Sequence, residues 1–256
     1  MDRRDFIKTA GLGAFGLGGA AVGTALIRAT TTKPSREVVR AKRWAMGIDL
    51  RACAQHPGCR KCIDACHAAH NVPSIPEPRH EVKWLWKATY ERTFPEQVHE
   101  YTTATTREQP VPVLCNHCAN APCARVCPTG ATWKRADGIV MMDEHRCIGC
   151  RYCMAACPYG ARSFNWQDPR PYLHTVTADY PTRAKGVVET CTFCAERLVA
   201  GLPPACVEAC QAAGFGALLF GDPDEPGAEI GRALRARDAL RRSPALGTAP
   251  QVFYLV

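Results

Sequence analysis

The chain has 256 residues, of which 46% are hydrophobic and sixteen are cysteines, and its formal net charge is +8. This length suits one sizeable domain or two small ones. The charge does not by itself indicate nucleic-acid binding, because the basic residues form no block and no nucleic-acid motif accompanies them. Beyond residue 30, no stretch reaches the roughly 18 consecutive apolar residues of a membrane-spanning helix. The cysteines are therefore the feature that needs an explanation.

The N-terminal segment, residues 1–30, has the order of an export signal. Arg3 and Arg4 precede an uncharged stretch over residues 9–27, which contains six glycines and is only weakly hydrophobic. The paired arginines resemble a twin-arginine signal. We therefore predict that residues 1–30 are cleaved after export of the folded protein, leaving residues 31–256 as the mature domain. An uncleaved membrane anchor is the alternative, because nineteen uncharged residues could just span a bilayer.

All sixteen cysteines fall into four groups of four, named quartets 1 to 4 in chain order. Quartet 1 is Cys53, Cys59, Cys62 and Cys66; quartet 2 is Cys115, Cys118, Cys123 and Cys127; quartet 3 is Cys147, Cys150, Cys153 and Cys157; quartet 4 is Cys191, Cys194, Cys206 and Cys210. No cysteine is left over. Quartet 3, in CIGCRYCMAACP, is the most tightly spaced.

A disulfide framework, a zinc site and a haem site each fit this spacing less well than an iron–sulfur cluster. Cysteines two residues apart seldom pair in a disulfide framework, and zinc ligands usually come as two separated pairs. Only quartet 4 is spaced like a zinc site, and no Cys-x-x-Cys-His of a haem site occurs. In quartet 3, one short loop supplies three thiols, as a cubane [4Fe-4S] cluster requires.

Quartet 3 also predicts an exchange of ligands between two clusters. In the Cys-x2-Cys-x2-Cys-x3-Cys-Pro pattern the last cysteine ligates the neighbouring cluster. Here that cysteine is Cys157, which lies at a predicted helix start, and Gly149 would let the backbone approach the cluster. Quartets 2 and 3 both end in Cys-Pro, and the stretch TWKRADGIVMMDEHR predicts a hairpin that turns at Asp137 and Gly138. We therefore predict an α+β fold of two interleaved bacterial-ferredoxin-like units, each holding two clusters.

These motifs resemble the four-cluster ferredoxin-type electron-transfer subunits of membrane-associated respiratory complexes. The resemblance covers nearly all of the chain after the export signal, and it includes CNHCANAPCARVCP, CTFC followed by GLPPACVEAC, and the closing LGTAPQVFYL. The stretches HNVPSIPEP, KWLWKATYERTFP and SFNWQDPRP are similar to members from the sulfite-reduction-associated transmembrane complex of dissimilatory sulfur metabolism. The resemblance implies four [4Fe-4S] clusters and an electron carrier that has no substrate site of its own.

By the family pattern, three cysteines of one quartet share a cluster with the last cysteine of a partner quartet. The implied ligands are Cys53, Cys59, Cys62 and Cys210 for cluster 1; Cys191, Cys194, Cys206 and Cys66 for cluster 2; Cys115, Cys118, Cys123 and Cys157 for cluster 3; and Cys147, Cys150, Cys153 and Cys127 for cluster 4. Clusters 1 and 2 form an outer pair from about residues 45–70 with 188–215, and clusters 3 and 4 an inner pair at about 111–165. Quartet 1 departs from the pattern, because five residues separate its first two cysteines.

The resemblance also implies a location and partners. Cluster insertion in the reducing cytoplasm, followed by export of the folded protein to the periplasm, agrees with a twin-arginine signal. The partners would be an integral membrane quinone-interacting subunit and other redox subunits, with membrane contact only through the partner. Two alternatives stay open. One is the electron-transfer subunit of a molybdenum-containing oxidoreductase acting on polysulfide or thiosulfate, and the other is a zinc- or disulfide-stapled binding protein.

Four clusters would roughly cancel the charge of the mature chain. Residues 1–30 carry four basic and two acidic residues, so the remainder carries +6. Four oxidised clusters would add about −8. The residues that we predict to compensate this charge lie in or beside the cysteine loops: Arg60, Lys61, Arg125, Arg146 and Arg151. The histidines near cysteines are predicted to be structural or surface residues: His67, His70, His117 and His145.

Overall fold

The computed structural model describes residues 40–256, so the predicted export signal lies outside the described residues. The strands are β1 (Ala45–Asp49), β2 (Leu85–Thr89), β3 (Pro110–Leu114), β4 (Thr132–Lys134), β5 (Val140–Met142), β6 (Ser163–Phe164), β7 (Val188–Glu189), β8 (Leu218–Gly221), β9 (Ala239–Leu240) and β10 (Val252–Leu255). The α-helices are α1 (Leu50–Ala54), α2 (Lys61–Ala69), α3 (Tyr90–Thr93), α4 (Ala104–Glu108), α5 (Pro122–Arg125), α6 (Tyr152–Ala155), α7 (Ala195–Val199), α8 (Ala205–Ala212) and α9 (Glu229–Ala236). This mixture of short helices and strands confirms the α+β prediction. Over residues 40–256, no helix combines the length and the apolar character needed to cross a bilayer.

Strand β1 lies inside the largest sheet, whose strand order is β8-β1-β10-β9. It runs parallel to β10, with Met46 opposite Val252, and antiparallel to β8. Alternate residues of a strand face opposite sides of the sheet. Met46 and Tyr254 enter the main core, whereas Phe253 packs in a smaller cluster with Ile230 of α9. The sheet is therefore buried on both faces, and it joins the start of the described chain to its end.

The predicted hairpin between quartets 2 and 3 is confirmed. Trp133 of β4 lies opposite Met141 of β5 in an antiparallel ladder. The chain reverses at Asp137 and Gly138, and Gly138 adopts a φ of +86°, which glycine tolerates because it has no Cβ. The two remaining two-stranded sheets pair β2 with β3 and β6 with β7.

The predicted helix start at Cys157 is wrong. Helix α6 spans Tyr152–Ala155, so it contains Cys153 and ends before Cys157. The cause lies in the backbone just before it. Gly149 and Arg151 are both left-handed, with φ values of 68° and 62°, and they turn the chain early enough for the helix to begin at Tyr152.

A buried ion pair connects segments that are distant in sequence. The side chains of Arg183 and Glu189 are at most 1% exposed, and Arg183 Nε lies 2.7 Å from Glu189 Oε2. Glu189 also accepts hydrogen bonds from Trp84 Nε1 at 2.9 Å and from Asn165 Nδ2 at 2.5 Å. Arg183 also donates a hydrogen bond to the backbone carbonyl of His70. Both charged groups are thus paired and hydrogen-bonded, as buried charges must be to avoid a large desolvation cost.

Candidate metal centres

All sixteen cysteines lie in the described residues, and no disulfide joins any two of them. In space they form groups that differ from the quartets in sequence. One cavity, next to α1 and β8, is lined by the first three cysteines of quartet 1 and the last of quartet 4: Cys53, Cys59, Cys62 and Cys210. Another cavity, beside the β4–β5 hairpin, is lined by the first three cysteines of quartet 3 and the last of quartet 2: Cys147, Cys150, Cys153 and Cys127.

The remaining eight cysteines form two groups in the interior. Cys66 lies within electrostatic reach of the first three cysteines of quartet 4: Cys191, Cys194 and Cys206. Cys157 lies beside the first three cysteines of quartet 2: Cys115, Cys118 and Cys123. Helices α2 and α8 pack against each other and carry the cysteines that cross between the outer groups. Every group therefore combines three cysteines of one quartet with the last cysteine of another.

Quartets 2, 3 and 4 share one backbone turn between their first two cysteines. The residue just before the second cysteine is left-handed in each, at His117 (φ 40°), Gly149 (φ 68°) and Phe193 (φ 53°). This conformation costs a residue other than glycine about 1–2 kcal/mol, so its repetition indicates a common geometric requirement. In quartet 1, the residue before the second cysteine is Gly58, which is not left-handed. The irregular spacing of quartet 1 thus produces a different loop.

Gly149 is needed for a close backbone contact. A Cβ atom at this position would lie 2.6 Å from the carbonyl oxygen of Gly186, which is far too close. The sequence predicted that this glycine would let the backbone approach a cluster. That prediction is not tested by the contact described here, which lies on the side of the segment leading into β7.

The buried thiols need a nearby cation in order to ionise. Burial, reinforced by neighbouring cysteines, raises the pKa of Cys62 and of Cys115 to about 12. The same causes raise the pKa of Cys118 to about 11 and that of Cys66 well above its ordinary value. Metal ligands must be deprotonated, and a bound metal supplies the charge that permits this. Four clustered sulfurs in largely apolar surroundings fit an iron–sulfur cluster, which would be held by the four cysteine groups described above.

Backbone N–H groups point at several of the sulfurs. Phe193 donates to Cys191 Sγ and Thr132 donates to Cys127 Sγ, both at 3.4 Å. At Cys127, burial alone would raise the pKa, but the N–H of Thr132 and the hydroxyl of Thr129 outweigh it and lower the pKa. Hydrogen bonds of this kind stabilise a thiolate ligand and tune the reduction potential of the cluster that it binds.

His70 is a buried imidazole beside the group that contains Cys66 and Cys194. Its Nδ1–H donates to the carbonyl of Cys66 at 2.8 Å, and its Nε2 lies 3.0 Å from Glu196 Oε1. Burial alone would lower the pKa of His70, but hydrogen bonds to Cys194 and Glu196 raise it to about 9. Ligand atoms of His70, Cys194 and Glu196 lie within 4.8 Å of one another. Because Cys194 belongs to a cysteine group, these three residues are part of that site rather than a separate one.

The basic residues predicted to compensate cluster charge lie at the surface. All five are exposed: Arg60, Lys61, Arg125, Arg146 and Arg151. Arg60 pairs with Asp64 and Arg146 with Asp143 in solvent, where screening weakens each charge. The sequence reasoning missed the buried Arg162, whose charge acts on cysteines of two groups. The sequence contains a signal for its burial, because Arg162 is the single charged residue in the stretch CPYGARSFN, directly after quartet 3.

The chain matches two protein families, each described as a 4Fe-4S dicluster domain, one over residues 107–172 and one over residues 146–214. These ranges contain quartets 2, 3 and 4. The fold and the sites therefore define a ferredoxin-like iron–sulfur protein. With quartet 1 the thiols number sixteen, and the protein carries four [4Fe-4S] clusters.

Over most of its length the chain is also similar to iron–sulfur subunits of redox complexes. It is 42% identical to the Hdr-like menaquinol oxidoreductase iron-sulfur subunit 1 of Archaeoglobus fulgidus, over 99% of this chain and 97% of the relative. It is 38% identical to the menaquinone reductase iron-sulfur cluster-binding subunit of Nitratidesulfovibrio vulgaris, over 83% of this chain and 88% of the relative. It is 38% identical to the thiosulfate reductase electron transfer subunit PhsB of Salmonella typhi, over 77% of this chain and 85% of the relative.

The chain belongs to this family of iron–sulfur electron-transfer subunits. It is an electron carrier within a larger redox complex rather than a catalytic subunit. The zinc- or disulfide-stapled alternative is excluded by this membership.

Proposed function

We propose that the protein relays single electrons along four clusters arranged in the order 1, 2, 3, 4. When bound, each [4Fe-4S] cluster supplies one site that accepts and releases a single electron. The ligands are Cys53, Cys59, Cys62 and Cys210; Cys191, Cys194, Cys206 and Cys66; Cys115, Cys118, Cys123 and Cys157; and Cys147, Cys150, Cys153 and Cys127. The observation that carries the proposal is the spatial exchange of the last cysteine between quartets, which is the ligand pattern of paired cubane clusters.

Electrostatic contacts between the cysteine groups support this order. Each cysteine group takes the number of the cluster that it would hold. A thiol of each group lies close enough to a thiol of the next group for their charges to interact. The neighbouring thiols are Cys62 and Cys206 for groups 1 and 2, Cys191 and Cys115 for groups 2 and 3, and Cys123 and Cys153 for groups 3 and 4. These three pairs of neighbours support the order 1, 2, 3, 4.

The exposure of the cysteines supports contact of partner subunits with groups 1 and 4, at the ends of the series, rather than with groups 2 and 3 in the middle. In the end groups, Cys53, Cys59 and Cys147 are partly exposed and Cys150 is exposed. All four cysteines of group 2 are buried, and in group 3 only Cys157 is partly exposed. The protein therefore shields the two middle clusters from water and presents the two end clusters to other subunits.

The interleaved arrangement of two ferredoxin-like units is part of the proposal. The outer unit combines about residues 45–70 with 188–215, and the sheet β8-β1-β10-β9 supports this because it flanks both segments. The inner unit, at about residues 111–165, is built on the β4–β5 hairpin. Along the sequence, the chain would form the first segment of the outer unit, then the whole inner unit, and then the second segment of the outer unit.

The surface around cluster 4 supports docking of a membrane subunit that interacts with quinone. Cys150 is exposed, and next to it Ile148 and Tyr152 are 68% and 64% exposed. Arg151 lies over the ring of Trp166 at 4.8 Å, beside these apolar side chains. Exposed apolar side chains with an adjacent cation are typical of a protein interface. Two relatives are named for menaquinol or menaquinone complexes, which supports a quinone-linked partner for this chain.

The location and metabolic setting are proposed as periplasmic and as dissimilatory sulfur metabolism. Support for export comes from the twin-arginine pattern of residues 1–30. Support for sulfur metabolism comes from the sequence resemblance described above. Export in a folded state would explain how cluster-bearing thiols reach an oxidising compartment.

A second candidate function is electron transfer within a molybdenum-containing oxidoreductase. The similarity to the thiosulfate reductase electron transfer subunit favours it. The similarity to the menaquinol oxidoreductase subunit extends over 99% of the chain, compared with 77% for the thiosulfate relative. We therefore place the quinone-linked complex first. Purification of the intact complex from membranes would separate the two, because a molybdenum-containing subunit would accompany only the second.

The ligand exchange can be tested with single cysteine variants purified without oxygen. The wild type should contain about 16 irons per chain, and each variant about 12. Cys127→Ala and Cys150→Ala should lose the same electron paramagnetic resonance signal, because both cysteines would hold cluster 4. Cys123→Ala should lose a different signal. If Cys127→Ala matched Cys123→Ala instead, the quartets would not exchange ligands and the proposal would fail.

A further inference from the structure

Arg162 follows quartet 3 and its side chain lies in the protein interior, where the residue is only 4% exposed. Its Nη1 donates to Thr132 Oγ1 at 3.0 Å and lies 3.8 Å from Met142 Sδ. Both of these residues belong to the β4–β5 hairpin that separates quartets 2 and 3 in sequence. The guanidinium is therefore held in one place by the inner unit.

Most of the hydrogen-bonding capacity of Arg162 is not used by the protein. Among the described residues, its buried Nε and Nη2 have no acceptor. Arg183, which is equally buried, is instead paired with the carboxylate of Glu189. An unpaired buried guanidinium is strongly unfavourable unless a negative group faces it. The free donors of Arg162 thus point to an anionic acceptor beyond the protein's own oxygen atoms.

The neighbours that could carry such an acceptor are cysteines of two groups. The charge of Arg162 acts on Cys115 and Cys123 of group 3 and on Cys153 of group 4. Its side chain therefore lies near thiols of both groups. The charge of Arg162 thus reaches sulfurs that belong to two different cluster sites.

We propose that Arg162 is a positioning residue shared by clusters 3 and 4, which donates hydrogen bonds to sulfurs of both and raises both reduction potentials. This inference rests on the ligand sets of the proposed function. Reduction makes a cluster more negative, so a fixed positive charge and N–H donors stabilise the reduced form relative to the oxidised form. One guanidinium acting on both sites therefore raises the two potentials in the same direction.

The test is potentiometric titration of the full chain, followed by electron paramagnetic resonance, for the wild type and for Arg162→Gln. The signals of clusters 3 and 4 are assigned beforehand with Cys118→Ala and Cys150→Ala. Arg162→Gln should lower the equilibrium constant for reduction of clusters 3 and 4 at least tenfold, which is a fall of about 59 mV in each potential for one electron. The potentials of clusters 1 and 2 should stay unchanged. The matched control is Arg146→Gln, which removes a charge next to Cys147 from a side chain that is 67% exposed. Solvent screening should keep its shift below threefold.

The outcomes separate this inference from the proposed function. A wild type without about 16 irons would contradict the proposed function. A fully loaded Arg162→Gln with unchanged potentials, or with a shift confined to one cluster or to clusters 1 and 2, would overturn the shared role. If Arg162→Gln cannot hold iron, Arg162→Lys takes its place. The lysine ammonium carries its three donors on one nitrogen and lacks the fixed planar fork of the guanidinium, so at least one of the two potentials should change. Four unchanged potentials would overturn the inference.

Discussion

Replacing Glu189 with glutamine should strongly destabilise the protein although no cluster ligand is changed. Glu189 is fully buried and accepts hydrogen bonds from Arg183, Trp84 and Asn165. Glutamine has a similar shape but no charge, so the guanidinium of Arg183 would be left buried without its counter-ion. Breaking a buried pair in this way lowers the free energy of unfolding by about 3–5 kcal/mol. For a domain of this size, that corresponds to a fall of roughly 6–20 °C in the thermal midpoint.

The assay is the anaerobic thermal midpoint for loss of the visible cluster absorbance. Asp224→Asn is the matched control, because it also removes one carboxylate from an ion pair. Its partner is Arg43, and the two side chains are 60% and 41% exposed. An exposed pair of this kind contributes about 0–1 kcal/mol. Equal midpoints for Glu189→Gln and Asp224→Asn would show that the buried network does not hold the described segments together.

Three further predictions concern the cysteine loops and the sheet that supports them. Gly149→Ala should lower the iron content per chain, because the new Cβ would lie 2.6 Å from Gly186 O. The control is Gly160→Ala. Gly160 is also left-handed, with a φ of 63°, but it has open space around it, so this variant should keep the full iron content. Asp49 caps α1 and pairs with Arg237, so Asp49→Ala should lower the thermal midpoint for loss of cluster absorbance more than Asp49→Asn, which can still cap the helix. Loss of the cap costs about 0.5–2 kcal/mol. Equal midpoints for the two variants would contradict a capping role. Removal of iron with a chelator and a reductant should abolish most of the folded circular dichroism signal, because ligand binding and folding are coupled; an unchanged spectrum would contradict that coupling.

The sequence predicted the features that depend on neighbouring residues. The hairpin at Asp137 and Gly138 follows from a local turn signal and an alternating pattern, and it is confirmed. The four-stranded sheet was not predicted, because β1 pairs with β8 and β10, which lie far along the chain. The helix predicted to start at Cys157 begins instead at Tyr152, since the left-handed Arg151 sets the start and nothing in the sequence specifies that conformation for an arginine. The burial of Arg162 likewise depends on how the hairpin packs.

The parallel pairing of β1 with β10 sets a condition on biosynthesis. Residues Ala45–Asp49 leave the ribosome long before their partners Val252–Leu255. Cys53 must similarly wait for Cys210 before its cavity is complete. A nascent chain interrupted after residue 200 would contain quartets 1, 2 and 3 but would lack Cys206 and Cys210 of quartet 4. Any machinery that admits only folded cargo would therefore reject truncated products of translation, so the order of translation itself acts as a check on completeness.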